Sequence, residues 1–215
     1  MESFDIEGVQ SVIGYTFKNA DLLVSALTHS SYINEHPGTA NERLEFLGDC
    51  VLNFLVGVEL YISDPSASEA TLSSKRAATV SRTPLAALVD GMGLLKYLRV
   101  GAGVDKSAFS EKTRSNVYEA VLGAIYLDGG LDACKAFLAD TFYKNVEPER
   151  DYKSELQNLS QKYGRPVYET AQIDGGFCTE LTVLGKVFSG FGKSKHASEI
   201  DAARLALSVL SDKKR

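Results

Sequence analysis

Glu42, Glu45 and Asp49 stand at positions i, i+3 and i+7 of the segment NERLEFLGD, residues 41–49. At about 100° per residue, that spacing puts all three carboxylates within roughly 60° of one another on a helix. Leu44, Leu47, Val51, Leu52 and Leu55 continue a buried helical pattern around them. A solvated acidic stripe is the ordinary explanation of such acids, but from Glu42 to Gly57 the only charges are Glu42, Arg43, Glu45 and Asp49. Polar groups on so apolar a helix need partners. Three anions at the edge of a core repel one another, and become tolerable with a hard cation between them. Sparse carboxylates completed by water and phosphate suit Mg²⁺. Gly48 points the same way: a glycine inside a helix costs about 1 kcal/mol against alanine and marks close approach of another backbone or a ligand.

The stretch NERLEFLGDCVL resembles the signature helix of the ribonuclease III family. Glu69, in SASEATLS, stands at that family's acidic position after the signature helix, and NVYEAVLGAIYLD, residues 116–128, is similar to its second catalytic helix. There an Asp is usual, with a Glu three residues on; this chain has Asn116 and Glu119. The resemblance implies an endoribonuclease that hydrolyses double-stranded RNA with Mg²⁺, for which Mn²⁺ would substitute. Its catalytic residues would be Glu42, Glu45, Asp49, Glu69, Asn116 and Glu119. Of these, Glu45, Asp49, Asn116 and Glu119 would hold the metal, with Glu42 and Glu69 farther out or reaching substrate and a neighbouring subunit. The amide oxygen of Asn116 can ligate a hard cation, so the loss of one negative charge predicts weaker Mg²⁺ binding rather than lost activity. A silent double-stranded RNA-binding protein is the alternative, and Asn116 is its only support. A helical interaction domain tethered to an RNA-binding module is a third, and would make the acidic residues incidental.

The implied mechanism is metal-assisted hydrolysis leaving 5′-phosphate and 3′-hydroxyl ends with short 3′ overhangs, in the processing of ribosomal RNA precursors and structured transcripts. It needs no histidine base, so His29 is expected to serve local hydrogen bonding. Cutting two strands needs two sites, which the family obtains by homodimerisation. Phe46 resembles the residue that plugs into the partner subunit, although an ordinary core phenylalanine explains it equally well.

These residues must be positioned by helices. From Phe4 to Asp140 the apolar residues recur at three and four residue spacing, broken by turns at residues 34–41 and 63–68, which predicts an all-α endonuclease domain over residues 1–147. A charged connector with a proline, residues 148–151, separates it from a second domain over residues 152–215. The second domain reads as an amphipathic helix from Tyr152 to Tyr163, three strands at residues 167–173, 177–184 and 186–190, and an alanine-rich helix whose first turns hold Lys193, Lys195 and His196. This small α+β order, α-β-β-β-α, resembles the double-stranded RNA-binding domain, most specifically in GKSKHASEIDAA. It implies recognition of A-form shape, with Lys193, Lys195 and His196 on phosphates and Gln157 in the minor groove. His196 stands where a second lysine is usual, and the loop IDGGF has Phe177 where a histidine is common, so affinity should be modest and salt dependent. Gly192-Lys193-Ser194 ends like a P-loop, but Val187 occupies the place of its first glycine, which argues against a nucleotide cofactor. Lys75, Arg76 and Arg82 could flank RNA or form a solvated basic face.

The chain of 215 residues is 44% hydrophobic with ten Phe and ten Tyr, ample for packed cores. Net charge is −5 overall, divided as −7 over residues 1–150 (thirteen basic, twenty acidic) and +2 over residues 151–215 (ten basic, eight acidic). An acidic first half suits a metal site and a locally basic second half suits RNA. Three cysteines, Cys50, Cys134 and Cys178, are odd in number and far apart, so they read as small core residues. No run approaches the ~18 apolar residues of a membrane helix and the acidic N-terminus is unlike a signal peptide, so no membrane partner and a cytoplasmic location are expected.

Overall fold

The structure is a computed structural model that describes residues 4–146, 152–161 and 164–211. The chain divides into two compact units, residues 1–149 and 150–215. Among the described residues the first unit is helical: α1 (Ile6–Ile13), α2 (Ala20–Ala26), α3 (Ser30–Ile33), α4 (Glu42–Ser63), α5 (Glu69–Thr79), α6 (Arg82–Met92) and α7 (Glu111–Thr141), with short 3₁₀ turns before α7. A lone parallel bridge between Thr28 and Arg99 ties two of its loops together. The all-α expectation holds, and the second unit has the expected order, α8 (Tyr152–Ser160), β1 (Val167–Ile173), β2 (Gly176–Val183), β3 (Lys186–Gly192) and α9 (Lys195–Ser211).

Helices α4 and α7 form the centre of the first unit. Leu52, Leu55 and Val56 of α4 meet Val121, Leu122 and Ile125 of α7 in one core with Leu23, Leu27, Leu85 and Leu98. The two helices cross where both carry glycine. A methyl group on Gly48 would collide with the carbonyl oxygen of Glu119, and one on Gly123 with the carbonyl oxygen of Leu44. The close approach anticipated at Gly48 is therefore to the backbone of α7. Helix α7 kinks at Gly130, whose φ of 75° is non-helical, just after Asp128. The Asp128 carboxylate accepts the Tyr15 hydroxyl (2.8 Å) and the backbone N–H groups of Lys18 (2.9 Å) and Asn19 (2.8 Å), which pins the start of α2 to the kink.

Helix α4 departs from the sequence reading in one respect. Its 22 residues and a mean hydropathy of 1.5 give it the length and apolarity of a bilayer-crossing helix, and 33% of that stretch is buried. Asp49, Asn53 and Glu59 break any uninterrupted apolar run, which hid the helix from a run-length criterion. One face packs on α7, and the other carries Phe46, Phe54, Tyr61 and Ile62 outward. Cys50 lies exposed on the outward side too, so the expectation of a core residue is wrong there; Cys134 is buried and Cys178 half-buried.

In the second unit, β1-β2-β3 form an antiparallel sheet packed on α8 and α9 through Leu156, Leu181, Val183, Ala203 and Ala206. Buried Thr179 bonds both Thr170 (2.8 Å) and Ser198 of α9 (2.7 Å). Several boundaries move, and β3 runs on to Gly192 rather than ending at Gly190. β2 starts at Gly176, so Phe177 sits inside the ladder, paired with Gln172 and Gly192, and the turn is the tight pair Asp174–Gly175. Leu184, read as the end of β2, turns the chain with φ of 50° beside Gly185 at 71°, the double left-handed turn that suits a two-residue hairpin. Lys193 precedes α9, whose start is marked by the Ser194 hydroxyl accepting from the Ala197 N–H (3.2 Å). Helix α8 ends at Ser160; Tyr163 and the connector, residues 148–151, lie outside the described residues.

Candidate active site

The crossing of α4 and α7 opens onto a cleft of about 600 Å³ lined by Glu45 and Asp49 from α4, by Ser81, Arg82 and Thr83 where α6 begins, and by Glu111, Lys112, Ser115, Asn116 and Glu119 from α7. The glycine contacts set this geometry: because Gly48 touches the backbone at Glu119, the carboxylates on either side of the crossing share one space. Helices α6 and α7 are tied together by the Thr83 hydroxyl on Glu111 (3.0 Å) where both begin, and by the ion pair of Arg114 with Asp90 in the last turn of α6 (2.8 Å). Asp49 is held from its own helix, its side-chain and backbone oxygens both accepting the Asn53 amide, at 2.8 and 3.0 Å.

Crowding of like charges shows in the protonation of the site. Burial first, then the charges of Asp49 and Glu45, push the Glu119 carboxyl up to about 7, against the opposite pull of Arg82. Glu45 is also raised, by burial above all and by Glu42 and Asp49, while the Lys112 charge and the Asn116 amide pull it back. A partly desolvated carboxylate cluster with an added amide oxygen is a donor set suited by its chemistry to a hard divalent cation. Among the described residues, no three His, Cys, Asp or Glu side chains already converge as a ready-made coordination sphere. Asn116 adds an amide oxygen from α7 to the lining of the same cleft.

The predicted residues separate into groups. Glu45, Asp49, Asn116 and Glu119 are brought together. Glu42 is not among them: it lines an apolar groove with Phe46, Leu22, Leu47 and Leu127, and although it shares Asp49's side of α4 it lies two turns away, about 10 Å along the helix axis. Glu69 opens α5, exposed, with its carboxylate accepting the Ser73 hydroxyl (2.9 Å), and does not line the cleft. Arg82 lines the cleft, whereas Lys75 pairs with Asp64 (2.8 Å). His29 caps α3 and accepts from the Ser31 N–H (3.2 Å), a local role as expected. Sequence reasoning missed Lys112 and Asn53. Both had a signal: Lys112 is one turn before Asn116, and Asn53 one turn after Asp49.

Phe46 is 73% exposed, so it is not a core residue of this chain. With Leu127 (54%) it lines a groove of about 690 Å³, and Phe54 (55%) and Tyr61 (72%) stand exposed farther along the same helix. Exposed apolar surface on this scale marks an interaction site. In the second unit, Lys195 and His196 occupy the first turn of α9 and Lys193 the bend before it, all exposed, and Gln157 is exposed on α8.

Residues 19–146 match the model of a family described as ribonuclease-III-like, and residues 152–210 match that of the double-stranded RNA binding motif. A protein named Ribonuclease 3 from Symbiobacterium thermophilum is 38% identical over 211 residues, covering 91% of this chain and 90% of its own length. A Ribonuclease 3 from Pseudomonas fluorescens is 40% identical over 215 residues, covering 92% of each. Among solved structures, a nuclease domain of ribonuclease III from Campylobacter jejuni superposes with a TM-score of 0.61 at 32% identity, covering 70% of this chain and all of that one. A second structure of that domain, with the same TM-score, concerns flexibility in its region involved in dimer formation.

Proposed function

The chain belongs to the ribonuclease III family, an endoribonuclease with a double-stranded RNA-binding domain, and on that premise we propose that it is a Mg²⁺-dependent homodimer. It cuts double-stranded RNA to 5′-phosphate and 3′-hydroxyl ends with short 3′ overhangs. The observation that carries this reading is the cleft where α4 and α7 bring Glu45, Asp49, Asn116 and Glu119 to one space.

In this reading the four residues hold the ion through their oxygens. A divalent ion there supplies Lewis acidity and neutralises charge that builds on the scissile phosphate and the leaving oxygen. Asn53 fixes the orientation of Asp49, as supporting partners of ligating carboxylates do. Glu119, whose carboxyl is pushed up to about 7, would give up its proton to join the ligand set. Arg82 approaches the phosphates beside the cleft. Glu42 and Glu69 act outside the ligand set, toward substrate or the partner subunit. Mn²⁺ can replace Mg²⁺ in an oxygen donor set of this kind.

The dimer forms through the outward face of α4, Phe46 of each subunit entering the groove of the other. The symmetric pair then presents two clefts to the two strands of one duplex. Gln157, Lys193, Lys195 and His196 hold the duplex by minor groove and phosphate contacts. The division into a nuclease domain (1–147), connector (148–151) and RNA-binding domain (152–215), a cytoplasmic location and work on ribosomal RNA precursors and structured transcripts complete the reading.

Cleavage of a long perfect RNA duplex with Mg²⁺ or EDTA, by this chain and by Glu119→Gln, tests it. Metal-dependent cutting that the variant loses while still binding RNA supports the reading. Binding without cutting by either protein, at every Mg²⁺ concentration, favours the second reading, a silent RNA-binding protein, to which Asn116 lends its weight. Where the parent chain cuts, Asn116→Asp should lower the Mg²⁺ concentration needed for half-maximal cutting; an unchanged requirement removes Asn116 from the ligand set.

A further inference from the structure

Lys112, Asn116 and Glu119 follow one another at i, i+4 and i+7 on α7, a spacing that keeps all three on one side of the helix, and all three line the acidic cleft. Lys112 is exposed and close enough for its charge to act on Glu45, yet among the described residues it forms no ion pair. Helices α6 and α7 are already fastened to one another by Thr83–Glu111 and Asp90–Arg114, so the ammonium is not needed to hold the wall. It is a point charge with three donors, exposed on the lining of a cleft that a polyanion must enter. The phosphate backbone has to approach Glu45, Asp49 and Glu119, which repel it at short range. A lysine on the same helix face is the group that can take a non-bridging phosphate oxygen there.

Resting on the nuclease reading above, we propose that Lys112 contacts the phosphate at the cleavage position directly and is a substrate-positioning cation of this active site. The charge neutralised at that phosphate is then partly a property of the chain itself, offered before any ion arrives.

The test is equilibrium binding by the full chain in a Glu119→Gln background, so that RNA stays intact. The duplexes carry either phosphate or a single neutral methylphosphonate at the cleavage position mapped with the active protein. Lys112→Met should weaken binding of the all-phosphate duplex about tenfold, the size of a lost charge-assisted contact. The slope of log affinity against log salt should fall by about 1 for each site engaged. Lys112→Arg should retain most of the affinity. The methylphosphonate should weaken binding when Lys112 is present and add nothing in Lys112→Met. Lys135→Met, which removes an exposed lysine beyond the kink paired with Asp132, should match the parent, and melting curves should show all variants folded. Equal methylphosphonate penalties with and without Lys112, or a Lys112→Met affinity equal to that of Lys135→Met, overturn the proposal while leaving the nuclease reading standing. A parent chain that cuts no duplex removes both.

Discussion

Glu119 shows how one residue ties the site to the stability of the chain. Its folded pKa, about 7, lies above the ordinary value of 4.5, so between those values the folded chain holds a proton that the unfolded chain has released. Stability therefore falls as pH rises through that window. In EDTA, the melting temperatures of the natural chain and Glu119→Gln should converge near pH 4.5 and separate above it, with the Gln variant more stable by about pH 8. A difference that does not vary with pH would show that Glu119 titrates normally. Asn53 is a second case. Among the described residues its side chain bonds only Asp49, so Asn53→Ala should lower cleavage about tenfold with little change in melting temperature. Unchanged cleavage would mean that Asp49 needs no support. At this scale the acidic positions and Asn116 were legible because their types and spacing are unusual on an apolar helix. Asn53 was missed because spacing alone does not say which polar neighbour a carboxylate takes.

Among the elements, the crossing of α4 and α7 decides where the carboxylates meet. Gly48→Ala would set a methyl against the Glu119 carbonyl, and should destabilise the chain by about 1–3 kcal/mol, as overpacking does. Because the clash is at Glu119 itself, cleavage should fall even below the melting transition; urea unfolding and single-turnover rates measure the two effects separately. Loss of stability with unaltered chemistry would show that the cleft tolerates a wider crossing. The glycine in α4 signalled a contact in advance, but its counterpart Gly123 did not, since only the crossing pairs them. The misplaced ends of β2 and α9 have a similar origin. Leu184 reads as strand by its side chain and adopts a left-handed turn because the β2–β3 register leaves two residues to reverse the chain.

At the scale of the whole molecule, the outward face of α4 is what one chain leaves unfinished. Phe46→Asp should convert a dimer to a monomer by sedimentation velocity and abolish paired-strand cutting, while leaving the melting temperature of the monomer near that of the parent, because Phe46 contributes little to the chain's own core. A variant that stays dimeric would move the interface elsewhere. The sequence by itself determined the two domains' classes, the family and the acidic residues, because periodicity, turn residues and rare motifs are local properties of the chain. Only the tertiary structure decided that Phe46 faces outward and that Lys112 enters the cleft. Those outcomes depend on which helix lies against which face, and the contact of Gly48 and Gly123 with backbones distant in sequence fixes that.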